Sequence, residues 1–108
     1  MQIIIQAACQ DGPSLREAIV RDRKLEDYYL QVSKQKSAGR NPGWAKLHST
    51  DYAIPGAINM TWDAASKILL SRVIARESNI PSDLAGDFVA YLLKRHKRRI
   101  KAINILTT

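Results

Sequence analysis

Apolar and polar positions alternate in two different rhythms along this chain. Residues 2–8 carry the uncharged, β-branched run Ile3-Ile4-Ile5, the pattern of a short strand buried on both faces. Asp11-Gly12-Pro13 then breaks the chain. Ser14-Leu15-Arg16-Glu17 has the spacing of a capping box, in which the Ser14 hydroxyl accepts from the Glu17 N–H and the Glu17 carboxylate reaches back. A helix is predicted from there to about Val32. Leu15, Ala18, Ile19, Leu25, Tyr29 and Val32 share one face at about 100° per residue, with Asp22 and Glu26 at its edge.

Lys34 to Gly43 reads as a basic loop, rich in the turn formers Ser37-Ala38-Gly39 and Asn41-Pro42-Gly43. Trp44 to His48 reads as a short edge strand or an extended loop, and Ile54-Pro55-Gly56 is another break. Alternation returns over residues 57–76, which read as a hairpin turning at Asp63-Ala64-Ala65. A three-residue loop there places Ile58, Met60, Trp62, Ile68, Leu70 and Ile74 on the inner face. Ala57, Asn59, Thr61, Lys67 and Ser71 then face outward, with Leu69 and Val73 on the outer side of the second strand. After a connection at Glu77 to Ser82, Asn79 or Ser82 is placed to cap a second helix, with Pro81 at its entry. Its buried stripe is predicted as Leu84, Phe88, Val89, Leu92 and Leu93. Ile100 to Leu106 reads as a final strand.

These elements predict an α+β fold: an antiparallel or mixed sheet of four to five strands with two helices on one face, in the ferredoxin-like βαββαβ order. With 108 residues the chain is expected to form one domain over 1–108. The 45% apolar and 25% charged content is that of a folded protein. No apolar run approaches the roughly 20 residues of a spanning helix. The start Met1-Gln2-Ile3-Ile4-Ile5-Gln6 lacks a basic leader region, and a single cysteine, Cys9, forms no internal disulfide. The expected setting is cytoplasmic, with no membrane partner.

Charge changes the picture most. The net charge is +7, yet six of the seventeen basic residues lie in Lys94-Arg95-His96-Lys97-Arg98-Arg99-Ile100-Lys101. Outside that stretch, eleven basic residues meet ten acidic ones. A local excess of this size is the electrostatic footprint of a polyanion partner. The competing explanation is a solvated helix end, favoured by the dipole, which accounts for two or three cations more easily than six. The candidate nucleic-acid-binding set is Lys94, Arg95, Lys97, Arg98, Arg99 and Lys101, joined by Lys34, Lys36 and Arg40 of the basic loop. His96 is expected to turn towards the core.

No other chemistry has comparable support. His48 and His96 lack zinc spacing. Asp63, Glu77 and Glu17 are the carboxylates available for a magnesium site, but Asp63 suits a turn and Glu17 a cap. Sheet recognition of single-stranded RNA needs exposed aromatics on central strands, where Ile3, Ile5, Ile68 and Leu70 stand instead. Trp62 reads as core. Trp44 reads as a lid over the core, with base stacking as the alternative. The expected function is therefore a non-enzymatic binding module without metal or cofactor, contacting DNA or RNA phosphates through the basic helix end. The alternative is an oligomeric adaptor for an acidic protein, and behind it a metal-dependent nuclease built on Asp63, Glu77 and Glu17. A homodimer through the last strand or through the open sheet face suits either, because that strand carries a single charge, Lys101, and a sheet covered on one side must hide its other face.

Overall fold

Period-two alternation, not helix, builds most of this protein. The computed structural model describes residues 2–36, 43–51, 53–75 and 81–107. Strand β1 (Gln2–Cys9) is followed by helix α1 (Leu15–Val20) and a 3-10 turn at Leu25–Tyr28. Strands β2 (Leu30–Lys36), β3 (Trp44–Ser49), β4 (Ala57–Asp63) and β5 (Ile68–Ile74) come next. Helix α2 (Ser82–Arg95) and strand β6 (Ile100–Thr107) complete the order. All six strands lie in one sheet, β2-β3-β4-β5-β1-β6, and every pairing is antiparallel. The expected four-to-five-stranded ferredoxin-like layout is therefore incorrect: the fold is α+β but mostly sheet, with six strands among the described residues.

The extra strands come from the segment expected to be helix and loop. Helix α1 ends after six residues. Beyond it the Asp22 carboxylate accepts from the Lys24 N–H at 2.9 Å, an Asx turn that competes with helical hydrogen bonding. Tyr29 then sits in the left-handed region at φ 66°, which redirects the chain into β2. Trp44–Ser49 is neither an edge nor a loop but an interior strand between β2 and β4. Of the expected basic loop, Lys34 to Lys36 belong to β2, and residues 37–42 lie outside the described residues. The capping contact is present: Ser14 Oγ accepts from the Glu17 N–H at 3.3 Å.

One sheet face is core and the other is open. Ile3, Ile5, Ala7 and Cys9 of β1 pack with Leu47, Ile58, Met60, Trp62, Leu69 and Val73 under Leu15 and Ile19 of α1 and Leu84, Phe88, Tyr91 and Leu92 of α2. Strand β1 is thus buried on one face only, with alternation along its whole length. The hairpin forms, but its second strand has the opposite phase to that expected. Asp63 pairs with Ile68 across four intervening residues, and Lys67 takes the left-handed position at φ 58°. One extra loop residue exchanges the two faces of a strand, so Leu69, Ser71 and Val73 point inward while Ile68, Leu70 and Ile74 join the open face. Helix α2 is also rotated from its predicted stripe. Tyr91 is fully buried and Leu93 is 48% exposed. No helix among the described residues is long and apolar enough to cross a membrane.

Candidate nucleic-acid interface

The basic stretch that dominates the sequence is divided by the fold into members with partners and members without. Asp22, which leaves α1, is the hub of the partnered set. Its carboxylate accepts from Arg95 Nε and Nη2, each at 3.1 Å, and from the Tyr91 hydroxyl at 2.8 Å. His96 Nε2 lies 2.8 Å from the same hydroxyl. The Tyr91 proton goes to Asp22, so His96 Nε2–H is the donor to Tyr91 and the ring is held in one tautomer. Tyr28 packs edge-on to Tyr91, with ring centroids 5.5 Å apart. Burial raises the Asp22 carboxyl, but the Arg95 fork, the Lys24 N–H and the Tyr91 hydroxyl outweigh it and hold the group at about 2. Burial keeps His96 below its ordinary value, against the pull of Asp22. His96 does turn inward.

Arg99 is also committed. Its guanidinium donates to the Pro13 carbonyl, and its own carbonyl accepts from the Gln10 N–H at 2.7 Å. Arg95 and Arg99 thus tie the second helix and last strand to the first third of the chain. Lys94, Lys97, Arg98 and Lys101 are exposed and have no ion-pair partner among the described residues. They form the outward ridge. Of the other predicted residues, Lys34 is exposed on β2, Lys36 closes that strand, and Arg40 lies outside the described residues.

A second group of cations, absent from the sequence prediction except for Lys34, is assembled by the sheet register. Lys34 pairs directly with Lys46, Lys46 with Asn59, and Asn59 with Arg72, making one row across β2, β3, β4 and β5 on the open face. Adjacent strands are about 5 Å apart, which places Arg72 about 10 Å along the row from Lys46. None of the three cations has an acidic partner among the described residues. Trp44, two residues before Lys46, faces the same side opposite Thr61. It is therefore not a lid over the core. Trp62, by contrast, is in the core at 5% exposure.

Beside the row is a shallow depression lined by Lys46, Pro55, Gly56, Ala57, Asn59 and Ile74. Gly56 adopts φ +113°, and a Cβ there would lie 2.6 Å from the Ile74 carbonyl oxygen, so only glycine keeps this floor. The one acidic residue at an open-face strand position among the described residues is Asp63. Its carboxylate holds the hairpin turn, accepting from the Ala65 N–H at 3.0 Å and the Ser66 hydroxyl at 2.8 Å. Glu17 lies on α1 with Arg16 at 3.3 Å, and Glu77 is outside the described residues. No group of three or more His, Cys, Asp or Glu placed to hold a metal occurs among the described residues.

Lys46 and Arg72 were legible only as polar positions in alternating runs. The signal that finds them is the hairpin phase: once Leu69 and Val73 are core, Arg72 must share the face of Asn59. Comparison with protein-family models, with curated proteins and with solved structures finds no match to this chain.

Proposed function

We propose that this protein is a non-enzymatic module that binds single-stranded nucleic acid, tracking its phosphates with the Lys34–Lys46–Arg72 row and the Lys94, Lys97, Arg98 and Lys101 ridge. The observation that carries the reading is the row. Directly opposed like charges destabilise an antiparallel pair, and Lys34 faces Lys46 with no acid alongside among the described residues. A fold under selection for stability alone has no use for that arrangement, whereas a polyanion neutralises it. Trp44 adds a π-face next to the row, and stacking of this kind tolerates any base. The mechanism is counterion release: each neutralised phosphate frees condensed cations, so affinity falls steeply with salt.

The test is fluorescence anisotropy with a labelled single-stranded 20-mer from about 50 to 200 mM salt. Binding with a log–log slope of about −2 or steeper is expected, since three or more phosphates contribute about 0.7 each. The triple variant Lys34→Glu/Lys46→Glu/Arg72→Glu should lose binding while retaining its circular dichroism spectrum. A slope near zero, or a folded triple variant that binds as before, removes the reading. The second reading, that the protein works as a homo-oligomer, is favoured by one observation. Strand β6 is an edge strand whose residues 102–107 carry no charge.

A further inference from the structure

The two edges of the sheet are protected very differently. Strand β2 has a register shift between Val32 and Lys34, and lysines at 34 and 36. Bulges and lysines are the usual means of preventing edge-to-edge pairing. Strand β6 pairs with β1 along its inner side from Ile100 to Thr107, and its outer side pairs with no strand among the described residues. Ile105 is 55% exposed and Leu106 48%. On the helix side the strand borders an apolar groove, lined chiefly by Ile3, Ala85, Gly86, Val89, Leu93 and Ile105. Leu93, displaced from the core by Tyr91, stands 48% exposed on its rim.

We infer that this edge and groove form the interface with a second copy of the chain, the two β6 strands pairing antiparallel about Asn104 to continue the sheet. The inference rests on the homo-oligomer reading and names its surface. A two-fold axis perpendicular to the sheet keeps each residue on its own face, so residue i meets residue j of the same parity. Centring on Asn104 sets Ile103 of each copy against Ile105 of the other on the groove side, and Ala102 against Leu106 on the open side. Lys101 then meets Thr107. Centring on Ile103 instead opposes Lys101 to Ile105, and centring on Ile105 opposes Asn104 to Leu106. Charge does not oppose a second copy. The antiparallel arrangement sends the two Lys101 positions to opposite ends, six residues and about 20 Å apart. That exceeds the Debye length of about 8 Å at physiological salt, so two chains of like charge meet along their neutral strands.

Light scattering after gel filtration should give twice the chain mass for the wild type. Ile105→Lys and, separately, Leu93→Lys should give the single-chain mass with an unchanged circular dichroism spectrum. Both positions are substantially exposed in the single chain, so neither change demands burial of a charge within it. In a Cys9→Ala background, Asn104→Cys should form an intermolecular disulfide under mild oxidation, because directly opposed Cα atoms lie about 4.5–5.5 Å apart. Lys101→Cys should not. A wild type that is monomeric at about 100 μM, far above the dissociation constants of stable dimers, ends both the inference and the oligomer reading. A wild-type dimer that survives both lysine variants and does not cross-link at 104 ends the inference alone.

Discussion

The ridge at residues 94–101 and the row formed by Lys34, Lys46 and Arg72 are both clusters of cations, but they arise in opposite ways. The ridge is contiguous in sequence, and the fold divides it: Arg95 and Arg99 are engaged by Asp22 and Pro13, leaving Lys94, Lys97, Arg98 and Lys101 without an ion-pair partner among the described residues. The row is scattered over 39 positions from Lys34 to Arg72, and the register gathers it. Charge density along a chain is therefore a poor measure of charge density in space. Partners must be counted before a cation is credited with binding.

The largest effect that separates the partnered cations from the others is at the hub. Asp22→Ala leaves the Tyr91 hydroxyl without its acceptor and Arg95 without its counter-charge. It should cost about 1–3 kcal/mol in urea denaturation, the range for leaving a buried hydroxyl without its partner. Lys97→Ala or Arg98→Ala should stay within about 0.5 kcal/mol. Equal melting of these variants would erase the distinction between the two sets.

Acid should act on the same hub. Asp22 is held at about 2, below its ordinary 3.8, so the folded state favours the ionised form. The stability this confers is fully present above pH 4 and lost as pH falls through about 2. It amounts to on the order of 1–2 kcal/mol once partial screening is allowed for. His96 adds to this at higher pH. Because burial lowers its pKa, the unfolded chain takes up that proton more readily, and stability begins to fall below about pH 6.5. His96→Gln should remove the upper part of this decline and Asp22→Ala the lower part in chemical-denaturation series. A flat profile in the wild type would contradict both.

Binding sharpens the comparison further. Reversing Lys46, the half-buried centre of the row, should reduce the salt slope by about 0.7. Arg95→Ala and Arg99→Ala should leave the slope unchanged, since those side chains are engaged within the protein. A slope that responds equally to all three changes would mean that the fold does not sort the cations. The smallest effect is the most pointed. Lys34→Glu converts a like-charge cross-strand pair into an attractive one and should stabilise the protein by about 0.5 kcal/mol while weakening nucleic-acid binding. A loss of stability would show that Lys34 has a structural role.

The elements closest to their expected positions are those whose signals are local. The Ser14 cap, strands β1 and β6, the hairpin segment and the main helix follow from short-range pattern and turn chemistry. The failures occur where a local signal was equivocal. Leu25, Tyr29 and Val32 fit a helical stripe, but Leu30 and Val32 equally fit alternation, and the left-handed Tyr29 decides for strand. The hairpin phase turned on one loop residue. Leu93 and Tyr91 are both apolar enough for the core. Tyr91 takes the inner place because its hydroxyl finds Asp22, 69 residues earlier in the chain.

A folded α+β chain with its surplus charge near residue 98, an inward-turned His96 and a nearly uncharged last strand can be read from the residues alone, because capping, alternation and charge are local properties. The six described strands of the sheet, the engagement of part of the basic stretch by Asp22 and the single row of Lys34, Lys46 and Arg72 come from folding. Each of those depends on which strands pair and in what register. Register is set by the burial of a whole face at once, a property no single segment carries.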